Sequence, residues 1–197
     1  MEQKKSDAIC VILAGGQSRR MGRDKAALPF GTGTFLSRLI EEYSPAFPVY
    51  VSVGQAGKFP HPGAKEMVDL HPGMGPLAGL EAALTLSEAE TVFLTATDLP
   101  FGTLALAQAL LARIGDTDAC IIRRRDGKVE PAFGIYRRTC LEPVQTLLAQ
   151  ERRAFRNLLE RVRVRYVEEA ELESFPLDQI LANVNTPEDY EALREIL

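Results

Sequence analysis

The hydrophobic positions of the chain form short unbroken runs that alternate with longer segments of helical spacing. Residues 8–13 are an unbroken apolar run, which is typical of a strand buried on both faces in a parallel sheet. Further strands are predicted at 49–53, 65–68 and 91–95, and helices at 34–43, 77–86 and 104–114. Because strands and helices alternate, the pattern predicts a doubly wound α/β sheet with helices on both faces.

The pattern changes after residue 118. Two β-like runs, 119–122 and 132–136, flank Asp126 and Gly127, a dipeptide typical of hairpin turns. Two helices at about 139–149 and 154–160, a strand at 162–167 and a last helix from Pro187 complete the prediction. The sequence contains neither an internal repeat nor a low-complexity linker. We therefore expect a single three-layer α/β/α domain over residues 1–197, with a mostly parallel sheet.

The composition indicates a globular protein. Hydrophobic residues make up 46% and charged residues 25% of the 197 residues, which argues against disorder. No stretch approaches the ~18 apolar residues of a membrane span, and the apolar run 8–13 is too short for a signal peptide. Three cysteines without a CxxC pair indicate buried thiols rather than a disulfide framework. We therefore expect a cytoplasmic protein with no membrane contact.

Charge is distributed unevenly along the chain. The 23 Lys and Arg residues against 27 Asp and Glu residues give a net charge of -4, which disfavours nucleic acid as a partner. Residues 123–165, called here the basic segment, nevertheless hold twelve basic side chains against five acidic ones. The basic segment is therefore predicted to meet an anionic ligand, although any single arginine in it could instead be solvated.

A glycine-rich loop follows the first predicted strand. Gly15 and Gly16 let backbone N–H groups approach an anion closely, and Arg20 and Lys25 would neutralise a triphosphate. The loop is neither a Rossmann GxGxxG motif, because its paired glycines are adjacent, nor a Walker A motif, because Gly22 is followed by arginine. We predict a phosphate-binding loop of another class, and the alternative is a surface turn with solvated arginines.

Residues 13–25 read LAGGQSRRMGRDK and meet every fixed position of the pattern LAGGxSxRMGxDK. In this loop the chain strongly resembles the molybdenum cofactor guanylyltransferases, the MobA family, and the resemblance continues over essentially the whole chain. It implies a Rossmann-like nucleotidyltransferase fold with a GTP-binding half at about 8–115 and a molybdopterin-binding half at about 116–197. It implies transfer of GMP from GTP to the molybdenum–molybdopterin cofactor, with pyrophosphate released and Mg²⁺ as cofactor. Besides the two substrates, it implies transient contact with cofactor-synthesis proteins or recipient molybdoenzymes.

Two further motifs extend the resemblance in the first half. GPLAG at 75–79 matches a family element, and TDLP at 97–100 resembles its CDxP or GDxP segment. Ser52 departs from the pattern, because many relatives have asparagine there. By resemblance the catalytic residues are Arg20, Lys25 and Asp98, and Asp98 also binds the metal. By resemblance the GTP-binding residues are Leu13, Ala14, Gly15, Gly16, Lys25, Ser52, Asp69, Gly75, Pro76, Leu77, Gly79 and Asp98.

The two aspartates in this set also fit their implied roles chemically. The Asp69 carboxylate can accept two hydrogen bonds from guanine N1–H and N2–H₂, a donor pair that cytosine lacks. Asp98 follows a predicted strand, where ligands bind in open α/β sheets, and a carboxylate suits Mg²⁺ beside phosphates. The alternative for each aspartate is to cap the helix that follows it.

The acceptor site is implied by motifs in the second half. NVNTPED at 183–189 matches a family element, and by resemblance Asn183 and Asn185 bind molybdopterin together with Arg153 and Arg156. The two asparagines are expected on one side of an extended segment, and the two arginines on one face of a helix. The alternative is that Asn185 or the residue after it caps the last helix.

Two other functions remain open. A CTP:molybdopterin cytidylyltransferase or a sugar-phosphate nucleotidyltransferase would share the fold, but the cytidylyl enzymes typically carry LAAG and a proline before the lysine. Here Gly15-Gly16 and Asp24-Lys25 favour the guanylyl enzyme. A non-catalytic molybdopterin carrier or chaperone is of a different class, and it would tolerate loss of the phosphate-neutralising residues, all of which this chain retains.

Overall fold

A computed structural model describes residues 8–14 and 25–194 of the chain. Its strands are β1 (Ala8–Leu13), β2 (Pro29–Phe30), β3 (Gly33–Thr34), β4 (Val49–Val53), β5 (Lys65–Val68), β6 (Thr91–Ala96), β7 (Ala119–Arg123), β8 (Val129–Arg137) and β9 (Val164–Glu168). The main sheet has seven strands in the order β5-β4-β1-β6-β8-β7-β9, and β2 pairs with β3 in a separate hairpin.

The helices connect these strands across both faces of the sheet. They are α1 (Phe35–Tyr43), α2 (Pro76–Leu86), α3 (Leu104–Leu111), α4 (Leu141–Ala149), α5 (Phe155–Leu159), α6 (Leu177–Ile180) and α7 (Pro187–Arg194). Single turns of 3₁₀ helix lie at Lys25–Ala27, Arg138–Cys140 and Glu169–Leu172. No helix among residues 8–14 and 25–194 is long and apolar enough to cross a membrane.

The alternating side chains of β1 divide the core into two layers. Cys10 and Ile12 are buried in the cluster beneath α1, α3 and α6, whereas Ile9 and Val11 are buried in the cluster beneath α2, α4 and α5. A strand that is covered on both faces has no polar side to expose, which explains its unbroken apolar run. The predicted three-layer α/β/α architecture is confirmed.

Most neighbouring strands in the sheet are parallel. β5, β4, β1 and β6 form a continuous parallel set, and β7 pairs in parallel with β9. β8 is antiparallel to both β6 and β7, because a hairpin joins it to β7. The carboxyl ends of β1, β4 and β6 and the amino end of β8 therefore lie along one edge of the sheet.

The structure corrects several predicted boundaries. α3 ends at Leu111 rather than 114, because the Arg113 N–H donates to the Leu110 carbonyl at 2.9 Å and Gly115 takes a positive φ of 56°. β9 begins at Val164 rather than 162, and the Arg163 N–H donates instead to a carboxylate. The β2–β3 hairpin and α6 were not predicted, because they are too short for a hydrophobic period to develop.

Candidate active site

The site lies at the edge where β1, β4 and β6 end. The glycine-rich loop leaves β1 between its two parallel neighbours, since the Ala14 N–H donates to Ser52 O at 3.0 Å and Leu13 O accepts from the Thr97 N–H at 3.1 Å. Gly15, Gly16 and Arg20, which the sequence places in this loop, lie outside the described residues. Leu13 and Ala14 therefore mark where the loop begins.

Lys25 connects two elements that are distant in sequence. Its Nζ donates to Asp98 Oδ1 at 2.9 Å and to Asn185 Oδ1 at 2.8 Å. The Lys25 side chain is only 10% exposed, whereas that of Asp98 is 45% exposed. The Val184 N–H also donates to Asp98 O at 2.9 Å, which fixes the C-terminal segment beside the end of β6. Three residues predicted for the site from separate motifs thus meet around one ammonium group.

The helices that follow Asp98 and Asn185 are capped by other residues. The side chains of Asp98 and Asn185 instead accept hydrogen bonds from Lys25. Thr103 caps α3, because its hydroxyl accepts from the Leu106 N–H. At the start of α7, the Asp189 N–H donates to the Thr186 hydroxyl at 3.2 Å. The capping alternatives for Asp98 and Asn185 are thereby excluded, and Thr186 takes the cap.

Asp69 follows β5 and is held by Ser52 at the end of β4. The Ser52 hydroxyl donates to Asp69 Oδ1 at 2.7 Å, and the Asp69 N–H donates to Val53 O at 2.9 Å. Burial raises the pKa of Asp69, and the bond from Ser52 opposes that rise. Ser52 itself is 1% exposed. The buried Ser52 hydroxyl therefore orients the Asp69 carboxylate.

The GPLAG element forms the turn into α2. Gly75 has φ of 78°, a left-handed conformation that favours glycine, and Pro76 occupies the first turn of the helix. Leu77 and Gly79 are buried inside the fold. A Cβ on Gly79 would lie 2.4 Å from Leu13 Cδ2 and 2.6 Å from Ser52 Oγ, so both side chains would have to shift to accommodate a larger residue at this close approach of α2 to β1 and β4. Of this element, Gly75 and Pro76 are the exposed residues.

A buried carboxylate that the sequence did not reveal lies under the same loop. Glu81 is 2% exposed, and its Oε2 lies 2.6 Å from Nδ1 of His71. The His71 side chain itself is 54% exposed. The contact ties the loop between Asp69 and Gly75 to α2. A charged residue within the small-residue segment 77–86 was the only signal for this pairing.

Arg153 is the arginine of the predicted acceptor set that contacts this loop. Its Nη1 donates to Gly73 O at 3.5 Å, and its Cβ would lie 3.9 Å from a Cβ on Gly75. The predicted common helix face for Arg153 and Arg156 is wrong, because α5 begins at Phe155 with Ala154 as its N-cap. Arg156 lies on the helix, is 85% exposed and pairs with Glu160 at 3.7 Å.

The charge of the basic segment is largely neutralised within the domain. Among the described residues, eight of its twelve cations have a carboxylate partner, namely Arg123, Arg124, Arg125, Lys128, Arg138, Arg156, Arg163 and Arg165. Asp118 shows how tight such pairing becomes, because Arg163 and Thr139 lower its pKa to about 2. Arg137, Arg152, Arg153 and Arg161 contact no carboxylate in the described part of the chain. The prediction that the whole segment meets an anionic ligand is therefore too broad.

The metal-binding potential of the site rests on few side chains. Within residues 8–14 and 25–194, no three His, Cys, Asp or Glu side chains lie close enough together to hold a metal ion. Two side-chain oxygens, from Asp98 and Asn185, nevertheless both contact one cation, the Lys25 ammonium group. Mg²⁺ commonly takes one or two protein oxygens and completes its shell with phosphates and water. The donor set is thus of the kind that holds a metal only together with a phosphorylated substrate.

Fold and site together define a class of enzyme. The sheet is mostly parallel and carries Lys25, Asp98 and Asp69 at its carboxyl edge, which is where ligands bind in open α/β sheets. A family model described as the MobA-like NTP transferase domain matches residues 10–170. The chain belongs to this family, as the sequence predicts.

Individual relatives agree with this family. The chain is 34% identical to a probable molybdenum cofactor guanylyltransferase of Carboxydothermus hydrogenoformans, over 94% of each chain. It is 31% identical to a molybdenum cofactor guanylyltransferase of Mesorhizobium japonicum, over 93% of this chain and 92% of that one. The crystal structure of molybdopterin-guanine dinucleotide biosynthesis protein A from Archaeoglobus fulgidus superposes with a TM-score of 0.82 at 26% identity, covering 96% and 97% of the two chains.

Proposed function

We propose that this protein transfers GMP from GTP to the terminal phosphate of molybdenum–molybdopterin, forming molybdopterin guanine dinucleotide and pyrophosphate. The observation that carries this proposal is the convergence of Asp98 and Asn185 on Lys25 at the end of the glycine-rich loop. It joins the part of the chain assigned to the nucleotide with the C-terminal segment assigned to the acceptor. Relatives at 31–34% identity that are named molybdenum cofactor guanylyltransferase support the same reaction.

The chemical step needs charge neutralisation more than proton transfer. A phosphate oxygen of molybdopterin attacks the α-phosphorus of GTP, and the bond to the β-phosphate oxygen breaks as pyrophosphate leaves. A phosphate monoester has a second pKa of about 6, so the nucleophile is already anionic at neutral pH. Lys25, and Arg20 from the loop, neutralise the negative charge that builds up on the phosphates. The chain therefore acts by holding two anions in line.

Asp69 selects the base in this proposal. Its carboxylate accepts from N1–H and N2–H₂ of guanine, while Ser52 holds one of its oxygens from below. Gly75 and Pro76 form the exposed turn beside the base, and the buried Leu77 and Gly79 bring α2 close to the strands. Gly15 and Gly16 would supply backbone N–H groups to the phosphates. CTP would leave the Asp69 carboxylate without its donor pair.

Asp98 is the proposed Mg²⁺ ligand. Its side chain is 45% exposed, and Lys25 engages Oδ1. When bound, Mg²⁺ would supply charge stabilisation by bridging phosphate oxygens. The chain's own part is to hold the carboxylate at the end of β6, where the Val184 N–H fixes its backbone carbonyl.

The acceptor half, at about 116–197, is proposed to bind molybdopterin through Asn183, Asn185, Arg153 and Arg156. Arg153 has the strongest support, because it contacts no described carboxylate and reaches Gly73 O in the half proposed for GTP, at about 8–115. Arg156 has weaker support, since it pairs with Glu160 on an exposed helix face. The three cysteines are free and buried, which supports the proposed cytoplasmic location.

Pyrophosphate release tests the reaction. Purified protein is given Mg²⁺, molybdenum-loaded molybdopterin and either GTP or CTP, with each component omitted in turn. The proposal predicts release that requires both substrates and favours GTP, and Asp98→Asn should lower kcat about 100-fold or more. Asp116→Asn is the matched control, because that side chain is 98% exposed. Preference for CTP would assign the cytidylyl reaction, and binding of molybdopterin without any release would assign a carrier.

A further inference from the structure

A cavity of about 450 Å³ opens between the end of β7, the start of β8 and the segment around α6. Arg124, Lys128 and Glu130 line it from the β7–β8 hairpin, and Leu181 lines it from the other side. Leu181 precedes by three residues Val184, whose N–H donates to Asp98 O. The cavity thus opens at the edge of the sheet that carries the proposed reaction site, and its volume is in the range of small-molecule pockets.

Glu130 lies at the amino end of β8, which begins at Val129. β8 runs antiparallel to β6, with Leu94 opposite Gly134. The amino end of β8 therefore lies at the edge where β6 ends and Asp98 follows. Glu130 therefore belongs to the same edge of the sheet as the reacting groups, one strand away from β6.

Glu130 differs from the other charged side chains of the cavity. Arg124 pairs with Glu169 at 2.9 Å and with Asp178, and Lys128 pairs with Asp126 at 3.0 Å. Arg125 has Glu169 and Glu173 within 4 Å. The Glu130 carboxylate is half-buried and, across the described residues, accepts no hydrogen bond and forms no ion pair. Burial raises its pKa, and Arg124 opposes this. The half-buried Glu130 carboxylate therefore has both oxygens available to a ligand in the cavity.

We propose that Glu130 determines the specificity for the acceptor by accepting two hydrogen bonds from the pterin ring of molybdopterin. A pterin carries a 2-amino group next to a ring N3–H, and two carboxylate oxygens match this donor pair. The same donor arrangement occurs on guanine, so the two halves of the site would use one carboxylate each, Asp69 for the nucleotide and Glu130 for the acceptor. This inference rests on the proposed function and names the residue that recognises its second substrate.

The test compares a pterin with a ring that lacks the amino donor. Binding of 6-hydroxymethylpterin and of 6-hydroxymethyl-lumazine, in which oxygen replaces the 2-amino group, is measured by fluorescence titration on the full-length protein. A carboxylate that binds both donors should favour the pterin roughly ten- to hundredfold. Glu130→Gln, which keeps the side-chain shape but offers a single acceptor oxygen, should reduce the preference to about threefold or less. Glu173→Gln is the control, since that carboxylate is 72% exposed and lies outside this cavity.

Kinetics separates this inference from the proposed function. In guanylyl transfer, Glu130→Gln should raise KM for molybdopterin by the same factor and leave KM for GTP unchanged. If Glu130 only supported the fold, Glu130→Gln would change KM for molybdopterin and KM for GTP together or would change neither. If the wild-type protein shows no pterin preference, or Glu130→Gln keeps it, the inference is overturned while guanylyl transfer can still stand. If transfer is absent but the pterin preference depends on Glu130, the inference holds and the proposed reaction fails.

Discussion

Gly79→Ala tests whether the close approach of α2 organises the part of the site proposed to bind guanine. Helix propensity alone predicts that alanine stabilises an interior helical position by about 1 kcal/mol over glycine. Here the added Cβ would lie 2.4 Å from Leu13 Cδ2 and 2.6 Å from Ser52 Oγ, well inside van der Waals contact. Overpacking of this kind costs about 1–3 kcal/mol, so a net loss of stability of about 1 kcal/mol is expected.

The same clash has a functional consequence. Ser52 Oγ must move, and it donates the 2.7 Å hydrogen bond that orients Asp69. A hydrogen bond to a charged group contributes about 1.5–3 kcal/mol, and losing part of it should raise KM for GTP about five- to tenfold. Because the reacting phosphates lie at the other end of GTP, kcat should fall less than KM rises.

Urea unfolding and steady-state kinetics on the two proteins measure both effects. Gly54→Ala is the matched control, because nothing lies within 4 Å of a Cβ at that position. It should leave the free energy of unfolding within about 0.5 kcal/mol of the wild type. Equal or greater stability of Gly79→Ala, with an unchanged KM for GTP, would refute the packing argument.

Three further predictions concern charged side chains. Lys25→Met should lower kcat about 100-fold or more in the pyrophosphate assay without unfolding the protein, and near-normal turnover would contradict its role at the phosphates. Asp118→Asn should cost about 2 kcal/mol of unfolding free energy at pH 7, because Arg163 lowers the folded pKa from 3.8 to about 2. Because the pKa of Asp118 is lower in the folded than in the unfolded protein, its stabilising contribution is present above pH 4 and is lost as pH falls toward 2. Urea unfolding of the wild type and Asp118→Asn should therefore show a smaller difference in unfolding free energy at pH 3 than at pH 7. Arg153→Ala should raise KM for molybdopterin more than KM for GTP, and an equal change in both constants would show that Arg153 only supports the Gly73 loop.

The fold was predictable because its main elements are long and their patterns strong. β1 is apolar throughout since helices cover both of its faces. The positions of α1, α2 and β4 follow from runs and periods of the same kind. The short β2–β3 hairpin and α6 carry too few residues for a period, and their positions depend on contacts with distant parts of the chain.

The candidate site was predictable as a set of motifs but not as a network. Asp98 and Lys25 were expected near phosphate, yet their contact spans 73 positions in the sequence, and the contact of Lys25 with Asn185 spans 160. Ser52 was expected to touch the nucleotide, and no motif indicated that its hydroxyl donates to Asp69. Such roles depend on which side chains the folded sheet brings together.

The basic segment shows how a local charge count misleads. Most of the carboxylates that neutralise it lie just outside 123–165, for example Glu168, Glu169 and Glu171 on one side and Asp118 on the other. Antiparallel and parallel pairing of β7, β8 and β9 brings these groups beside the arginines. Arg153 is among the cations of the basic segment that have no carboxylate partner within residues 8–14 and 25–194, and its charge is available to a ligand.

The most direct measurement follows the phosphorus atoms of GTP. Purified protein is incubated with Mg²⁺, molybdenum-loaded molybdopterin and GTP labelled at either the α- or the γ-phosphate, and the products are separated. Guanylyl transfer through the Lys25–Asp98 site predicts that the α-label appears on the molybdopterin product and the γ-label in pyrophosphate, in equal amounts, with both signals lost in Asp98→Asn. Release of the γ-label as inorganic phosphate, or molybdopterin that never acquires the α-label, would contradict the account.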